Sequence, residues 1–413
     1  VESRGLGDVY KRQMGYYFSV YPNNLLLVWI YSIVLKLNDV IGTPISNGTM
    51  LLALFQCIFV TGAGACLYKT VRHFVDQKIA WIAYGFYFIL GGLSAWIMIP
   101  YSDSTGIIFP VFLFWLYVKL KETESAKKKC VLLFLMFFLC YIGFEIKPMA
   151  AIVVIAIVAV EGIHFAGRLL KKQSVWKKSL LAYCLAAVLG LGAAAGGVSA
   201  VVGSMHFPVV TDTVLGWQHH MMLGLNKDTN GGYSQADFDY STSFSSVEEQ
   251  HAAELKEIGK RLKDFGVGGY LQHFVKKSAR NYFDGCFGWG GLGETFYTEI
   301  FPERGTVLCS LIRSLYYDNT EDTLYRYQAL FRQILWYMVL VLVPFSVFTK
   351  RPLDKKRQVA VLSVLGLMLY LQIFEAHARY LYTFVPIFVF LATEGIDNLR
   401  EYLNQKSERR VKK

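Results

Sequence analysis

Charge is what this chain has least of. Only 18% of its 413 residues are Asp, Glu, Lys or Arg, against 54% hydrophobic. With a mean hydropathy of +0.36, that balance excludes the two or three soluble domains this length would otherwise suggest. Catalytic signatures are missing too. No CxxC or HExxH spacing occurs, nor any Ser/His/Asp spacing, phosphate-binding glycine loop or dinucleotide fingerprint. There is no internal repeat and no low-complexity segment. Seven cysteines are too few for a disulfide framework. Cys57, Cys66, Cys130, Cys140 and Cys184 fall inside apolar runs, where a thiol acts as a small hydrophobe. Cys286 and Cys309 share one polar segment and could pair if it faces an oxidising compartment.

What is present is a series of long apolar runs with Tyr and Trp near their ends, the place of amphipathic rings at a membrane interface. The pattern predicts an all-α polytopic membrane protein of about nine transmembrane helices, an outer interfacial helix and one extracytoplasmic loop domain of mixed, mostly helical structure. Spans are expected at about 49–68, 79–100, 104–119, 130–146, 148–166, 179–203, 333–349, 358–374 and 378–395. The net charge of +11 comes mostly from short Lys/Arg clusters between these runs. That placement follows the positive-inside pattern and predicts a bilayer, not a nucleic acid, as partner.

Every second connection is basic, which sets the orientation. The segment 204–332 is expected outside and the basic tail, 397–413, in the cytoplasm, with a bacterial plasma membrane as the setting. Residues 49–203 then form a six-span bundle and 333–396 a three-span bundle. The run NNLLLVWIYSIVLKL at 23–37 breaks the alternation and reads as an interfacial helix within 14–48. SSVEEQHAAELKEIGKRLKDFG at 245–266 reads as a surface helix. Residues 1–13, VESRGLGDVYKRQ, have no apolar core and so are no signal peptide. They resemble translated sequencing-adapter read-through, and natural sequence is expected from about Met14.

Ionisable residues hugging short outer turns invite a functional reading, because their desolvation is costly. Asp103, in YSDST, is a candidate acid or base, or equally a turn residue and helix cap. Lys147 beside Pro148 offers a point charge to a phosphate, or else pairs with Glu145 while reaching for the interface. Glu375, His377, Arg379 and Tyr380 cluster in the last outer turn, where an arginine can hold phosphate in bidentate fashion. In 216–240, Trp217, His219, His220 and Asp237 suit sugar or headgroup contacts. A metal site is not expected there, since adjacent histidines diverge on any regular element. NYFDGCFGWGGLG at 281–293 is similar in character, or an ordinary glycine-rich connection.

Taken in order, these segments resemble the GT-C superfamily of polytopic glycosyltransferases, which includes protein O-mannosyltransferases and aminoarabinose transferases. YPNNLLLVWI at 21–30 is similar to the family's first-loop interfacial segment. IGFEIKPMA at 142–150 is similar to its Lys-Gly-Pro turn without the glycine, and FEAHARYLY at 374–382 to its late Arg-Tyr turn. The resemblance implies transfer of a sugar from a polyprenyl-phosphate donor to an envelope glycan, lipid or protein outside the membrane. It implies no cofactor; a divalent cation has no support in the sequence. Lys147, Arg379 and Tyr380 would hold the donor phosphate, supported by Glu145, Glu375 and His377, and Asp103 would help position acceptor or sugar. The family's essential first-loop acid would fall before Tyr21, where the leader stands, so on this expectation the chain is an inactive fragment. A polysaccharide polymerase or ligase, and a lipid-linked-sugar transporter or flippase, are the alternatives.

Overall fold

Apolar runs this long fold as helices because lipid offers no partner for an open backbone amide. In the computed structural model, residues 15–42, 45, 47–172, 179–205, 212–293, 305–317, 323–348 and 353–411 are described. The expected leader, 1–13, lies outside them. The helices are α1 (Leu25–Ile41), α2 (Gly48–Phe74), α3 (Gln77–Tyr87), α4 (Ser102–Gly106), α5 (Ile108–Glu122), α6 (Ala126–Ile146), α7 (Ala151–Leu170) and α8 (Ser179–Gly203). After them come α9 (Trp217–Gly224), α10 (Gln235–Thr242), α11 (Val247–Tyr282), α12 (Val307–Tyr316), α13 (Thr323–Leu342), α14 (Lys355–Ile373) and α15 (Val385–Val411). Side-chain caps fix several starts: Asn47 accepts from Met50 N at 3.1 Å, Asp76 from Ile79 N at 2.8 Å and Asp354 from Arg357 N at 2.8 Å.

The chain is an all-α polytopic membrane protein: among the described residues nine helices are long and apolar enough to cross a bilayer, and no strand occurs. The number agrees with the sequence reading, but the membership does not. The run expected to lie at the interface belongs to Pro22–Ile41, which has the length and composition of a span. The span expected at 79–100 is broken. Helix α3 runs into a π turn at Phe88–Gly92 and then a 3-10 turn at Ala95–Met98. The carbonyls this releases are taken up by distant side chains. Arg332 donates to Leu90 O at 2.7 Å and to Leu93 O at 3.2 Å, and Tyr382 Oη to Gly91 O at 2.9 Å. Gln56, fully buried on α2, donates to Ile97 O and Ile99 O. Irregular backbone survives at such depth only when protein groups pair with it.

Two glycines set close helix contacts. A Cβ on Gly190 of α8 would lie 2.3 Å from Phe134 O of α6, and one on Gly395 of α15 would lie 2.2 Å from Leu342 O. Helix α15 is the centre of the bundle, with Val385, Ile387 and Phe390 fully buried. At one end of the bundle an ion-pair network joins several helices. Glu122 meets Lys119, Lys356 and His73, Glu161 meets Lys121 and Lys355, and Glu394 meets Arg357.

Opposite this basic end lie the turns before α4, after α6 and after α14, covered by α9 to α11. The surface helix expected over 245–266 is α11. It kinks at Gly266 (φ 55°, ψ −177°) and continues to Tyr282, and its buried face is largely polar: Gln250, Glu254, His273, Lys277 and Asn281. Helix α13 begins at Thr323, so the boundary expected at 332 falls inside it. Cys286 and Cys309 are free thiols.

Candidate functional site

Proline in the sequence decides where Lys147 points. The residue before a proline is pushed out of the helical region, and Lys147 takes φ −150°, ψ 103°, ending α6 just before the 3-10 turn Pro148–Ala150 opens α7. Gly106 makes room beside it: a Cβ there would stand 3.1 Å from Lys147 Cβ. The short α4 can therefore press Asp103 against the lysine. Asp103 is 1% exposed, and its Oδ1 accepts from Lys147 Nζ at 2.6 Å. Its other oxygen faces Arg379 Nε at 3.5 Å, an ion pair without a hydrogen bond. Two cations thus share one buried carboxylate. The alternative pairing of Lys147 with Glu145 does not form; Glu145 lies outside the cavity, next to Tyr141.

Aromatic rings surround the cations. Lys147 Nζ is 5.0 Å from the Tyr380 ring centroid, and the Arg379 guanidinium is 5.2 Å from Trp96 and 5.0 Å from Tyr101, distances at which a ring face attracts a cation. The turn that carries Arg379 is capped by His377, whose Nδ1 accepts from Arg379 N at 3.1 Å. The glycine-rich segment after α11 packs on it. A Cβ on Gly288 (φ 77°) would lie 2.7 Å from His377 Cε1.

These groups border a cavity of about 340 Å³, lined among others by Tyr17, Tyr21, Tyr101, Lys147, His219, His220, Tyr233, Glu375, Arg379 and Tyr380. Glu375 sits across from the cations. Burial would raise its carboxyl, but His220 at 3.6 Å and the Tyr380 hydroxyl, which donates to it at 2.8 Å, help hold it down at about 2. Burial, and then Arg379, push the His377 imidazole down to about 4. His219, 1% exposed and facing Ser241 Oγ at 2.7 Å, is pushed to about 4 by burial and by neighbouring His220. Burial pushes the Lys147 ammonium below its usual range, with Asp103 opposing.

The structure thus brings together Asp103, Lys147, Glu375, His377, Arg379, Tyr380, His219 and His220. It does not bring in Trp217, half-exposed outside the cavity lining, or Asp237, which lies outside that lining and accepts two hydrogen bonds from Arg261 at 2.7 and 2.9 Å. Among the described residues no three His, Cys, Asp or Glu side chains are grouped as metal ligands. The sequence reading missed Trp96, Tyr17 and Tyr21, while Tyr233 lay in the 216–240 segment without being named. Tyrosines near membrane interfaces are common, so nothing marked these as lining a site. Trp96 was hidden inside an expected span.

No curated protein and no solved structure matches the chain. A family model described as conserved hypothetical integral membrane protein matches residues 4–398, a range reaching into the expected leader. The match runs over nearly the whole chain, which therefore belongs to that family of integral membrane proteins.

Proposed function

We propose that the cavity binds the phosphate end of a lipid-linked sugar, and that the protein is a glycosyltransferase of the GT-C kind. It would move the sugar from a polyprenyl-phosphate donor to a cell-envelope acceptor on the extracytoplasmic side. The observation that carries this reading is the sharing of Asp103 between Lys147 and Arg379 at the cavity edge. A phosphate arriving there would meet two fixed cations that need no rearrangement. Their charge would stabilise the leaving phosphate as the glycosidic bond breaks. Asp103, buried and occupied, is better suited to hold the cations than to take an acceptor's proton. The ring-rich walls suit a sugar, and the His219 and Glu375 side would face the acceptor.

A non-catalytic carrier is the second reading, favoured by the unwound backbone at 88–98 beside the site, since carriers bind substrates at interrupted helices. One experiment separates the two. Protein reconstituted with a polyprenyl-phosphate sugar is assayed for polyprenyl phosphate release and for transbilayer movement of the intact lipid. Release that falls at least tenfold in Lys147→Met and Arg379→Gln supports the transferase. Movement without release supports the carrier. Unchanged release and movement in both variants overturns the phosphate site.

A further inference from the structure

A second cavity, of about 610 Å³, opens near the basic end between α5, α6, α7 and α8. Lys129 on its wall and Ile146 beside the first cavity sit near opposite ends of α6, about 26 Å apart at 1.5 Å per residue. The two cavities are therefore separate. This second one is a groove with hydrocarbon walls, formed by side chains such as Leu133, Phe137, Val158, Phe165 and Leu180.

Its charged residues are Lys121, Glu161, Lys129 and Arg168. Glu161 is engaged: it accepts from Lys121 at 2.9 Å, from Lys355 at 2.9 Å and from Tyr117 at 2.6 Å. Lys121 is thereby matched. Lys129 and Arg168 form no ion pair among the described residues. The groove thus offers apolar length for an acyl chain, with two uncompensated cations near where α6 begins and α7 ends.

We propose that this groove is a binding site for one anionic glycerophospholipid of the surrounding bilayer. An acyl chain lies against Leu133, Phe137 and Val158, and the phosphodiester is held by Lys129 and Arg168. A zwitterionic lipid would bring its own cation to the same place and lose the advantage. Basic pockets between spans favour anionic headgroups because each Lys or Arg near the surface adds to the attraction. The inference stands on this groove alone, independently of any sugar transfer.

Cys184, exposed and on the groove wall about 8 Å along α8 from its start, offers a thiol that a bound lipid would cover. The protein is reconstituted in nanodiscs of phosphatidylcholine, or of phosphatidylcholine with phosphatidylglycerol of the same chains. Maleimide modification of Cys184 is then followed by mass mapping. Phosphatidylglycerol is expected to slow modification on the order of tenfold, and the protection is expected to vanish in Lys129→Gln/Arg168→Gln. Lys129→Arg/Arg168→Lys should keep it, as should Lys127→Gln/Lys128→Gln, whose residues do not line the groove. Equal protection in pure phosphatidylcholine would overturn the proposal, as would protection that persists in the Lys129→Gln/Arg168→Gln variant. Protection by inorganic phosphate without phosphatidylglycerol would also overturn it, by showing an anion site with no lipid in it.

Discussion

Lys147 and Asp103 form a buried ion pair at 2.6 Å, their side chains 7% and 1% exposed, between the turn that ends α6 and the short helix α4, 44 residues apart in sequence. A buried pair of this kind adds little net stability against apolar replacements, but removing one partner strands the other. Asp103→Asn, which leaves both Lys147 and Arg379 without their carboxylate, should cost about 3–5 kcal/mol, and Lys147→Met less, because Asp103 keeps Arg379. The double variant should cost less than the two singles combined, because it strands no charge of the pair. Thermal unfolding in detergent, run as a double-mutant cycle, checks this. Strict additivity would show that the pair is not coupled.

Acid should destabilise the protein in two stages. His219 and His377 are held at about 4 in the folded chain, below the unfolded value of about 6.5. Between those values the unfolded chain binds more protons, so the stability they carry is complete above about pH 6.5 and lost as pH falls through about 4. Glu375, held at about 2, acts lower: its contribution is lost as pH falls from about 4.5 toward 2. In His219→Gln, the melting temperature should vary less between pH 7 and pH 5 than in wild type. An unchanged profile would mean that His219 binds its proton equally in the folded and unfolded chain.

Arg332 should matter more than an arginine in a transmembrane helix usually does for packing alone. It is 3% exposed and bonds two carbonyls of the broken stretch after α3. Arg332→Met should cost about 3 kcal/mol, since it leaves at least Leu90 O without its donor. Arg332→Lys, with no planar fork, should recover part of this at most. Hydrogen exchange read at 88–96 locates the effect, which should be largest there.

The contact between α6 and α8 predicts a contrast between two glycines one half-turn apart. Gly190→Ala places a methyl against Phe134 O and should destabilise by about 1–3 kcal/mol. Gly192→Ala meets nothing within 4 Å and should be neutral or stabilising, because alanine is the better helix former. Equal effects on the melting temperature would refute the close approach.

Most of the helical membrane architecture was legible because apolar length acts locally, residue by residue along the chain. The break after Phe88 was not. Its stretch is as apolar as any span, and the groups that stabilise the open form, Arg332, Tyr382 and Gln56, come from far along the sequence. The run at 23–37 was read as interfacial from its flanking charges, whereas continuous helix from Pro22 to Ile41 gives it the length of a span. At the site, the three charged turns were visible as short polar interruptions between spans. That Lys147 pairs with Asp103 and not with its neighbour Glu145 was invisible, because it depends on how α4 lies against Lys147. Trp217 and Asp237 looked equivalent to His219 in sequence; helix phase on α9 separates Trp217 from it, and Asp237 lies on α10, where Arg261 holds it.

Lys277 has a further consequence for the cavity. Fully buried on the kinked helix α11, it donates to Gly224 O at the end of α9 and to Gln372 O near the end of α14. Gly224 has no side chain, and a Cβ there would stand 2.6 Å from Ile373 O, so the two backbones touch. One short helix brings His219 and His220 to the cavity, and the other leads into Glu375. Joined in this way, they form one continuous wall of the cavity, and parting its halves would break both Lys277 bonds. Under the proposed function, a change at Lys277 would therefore reach the histidines and Glu375 together.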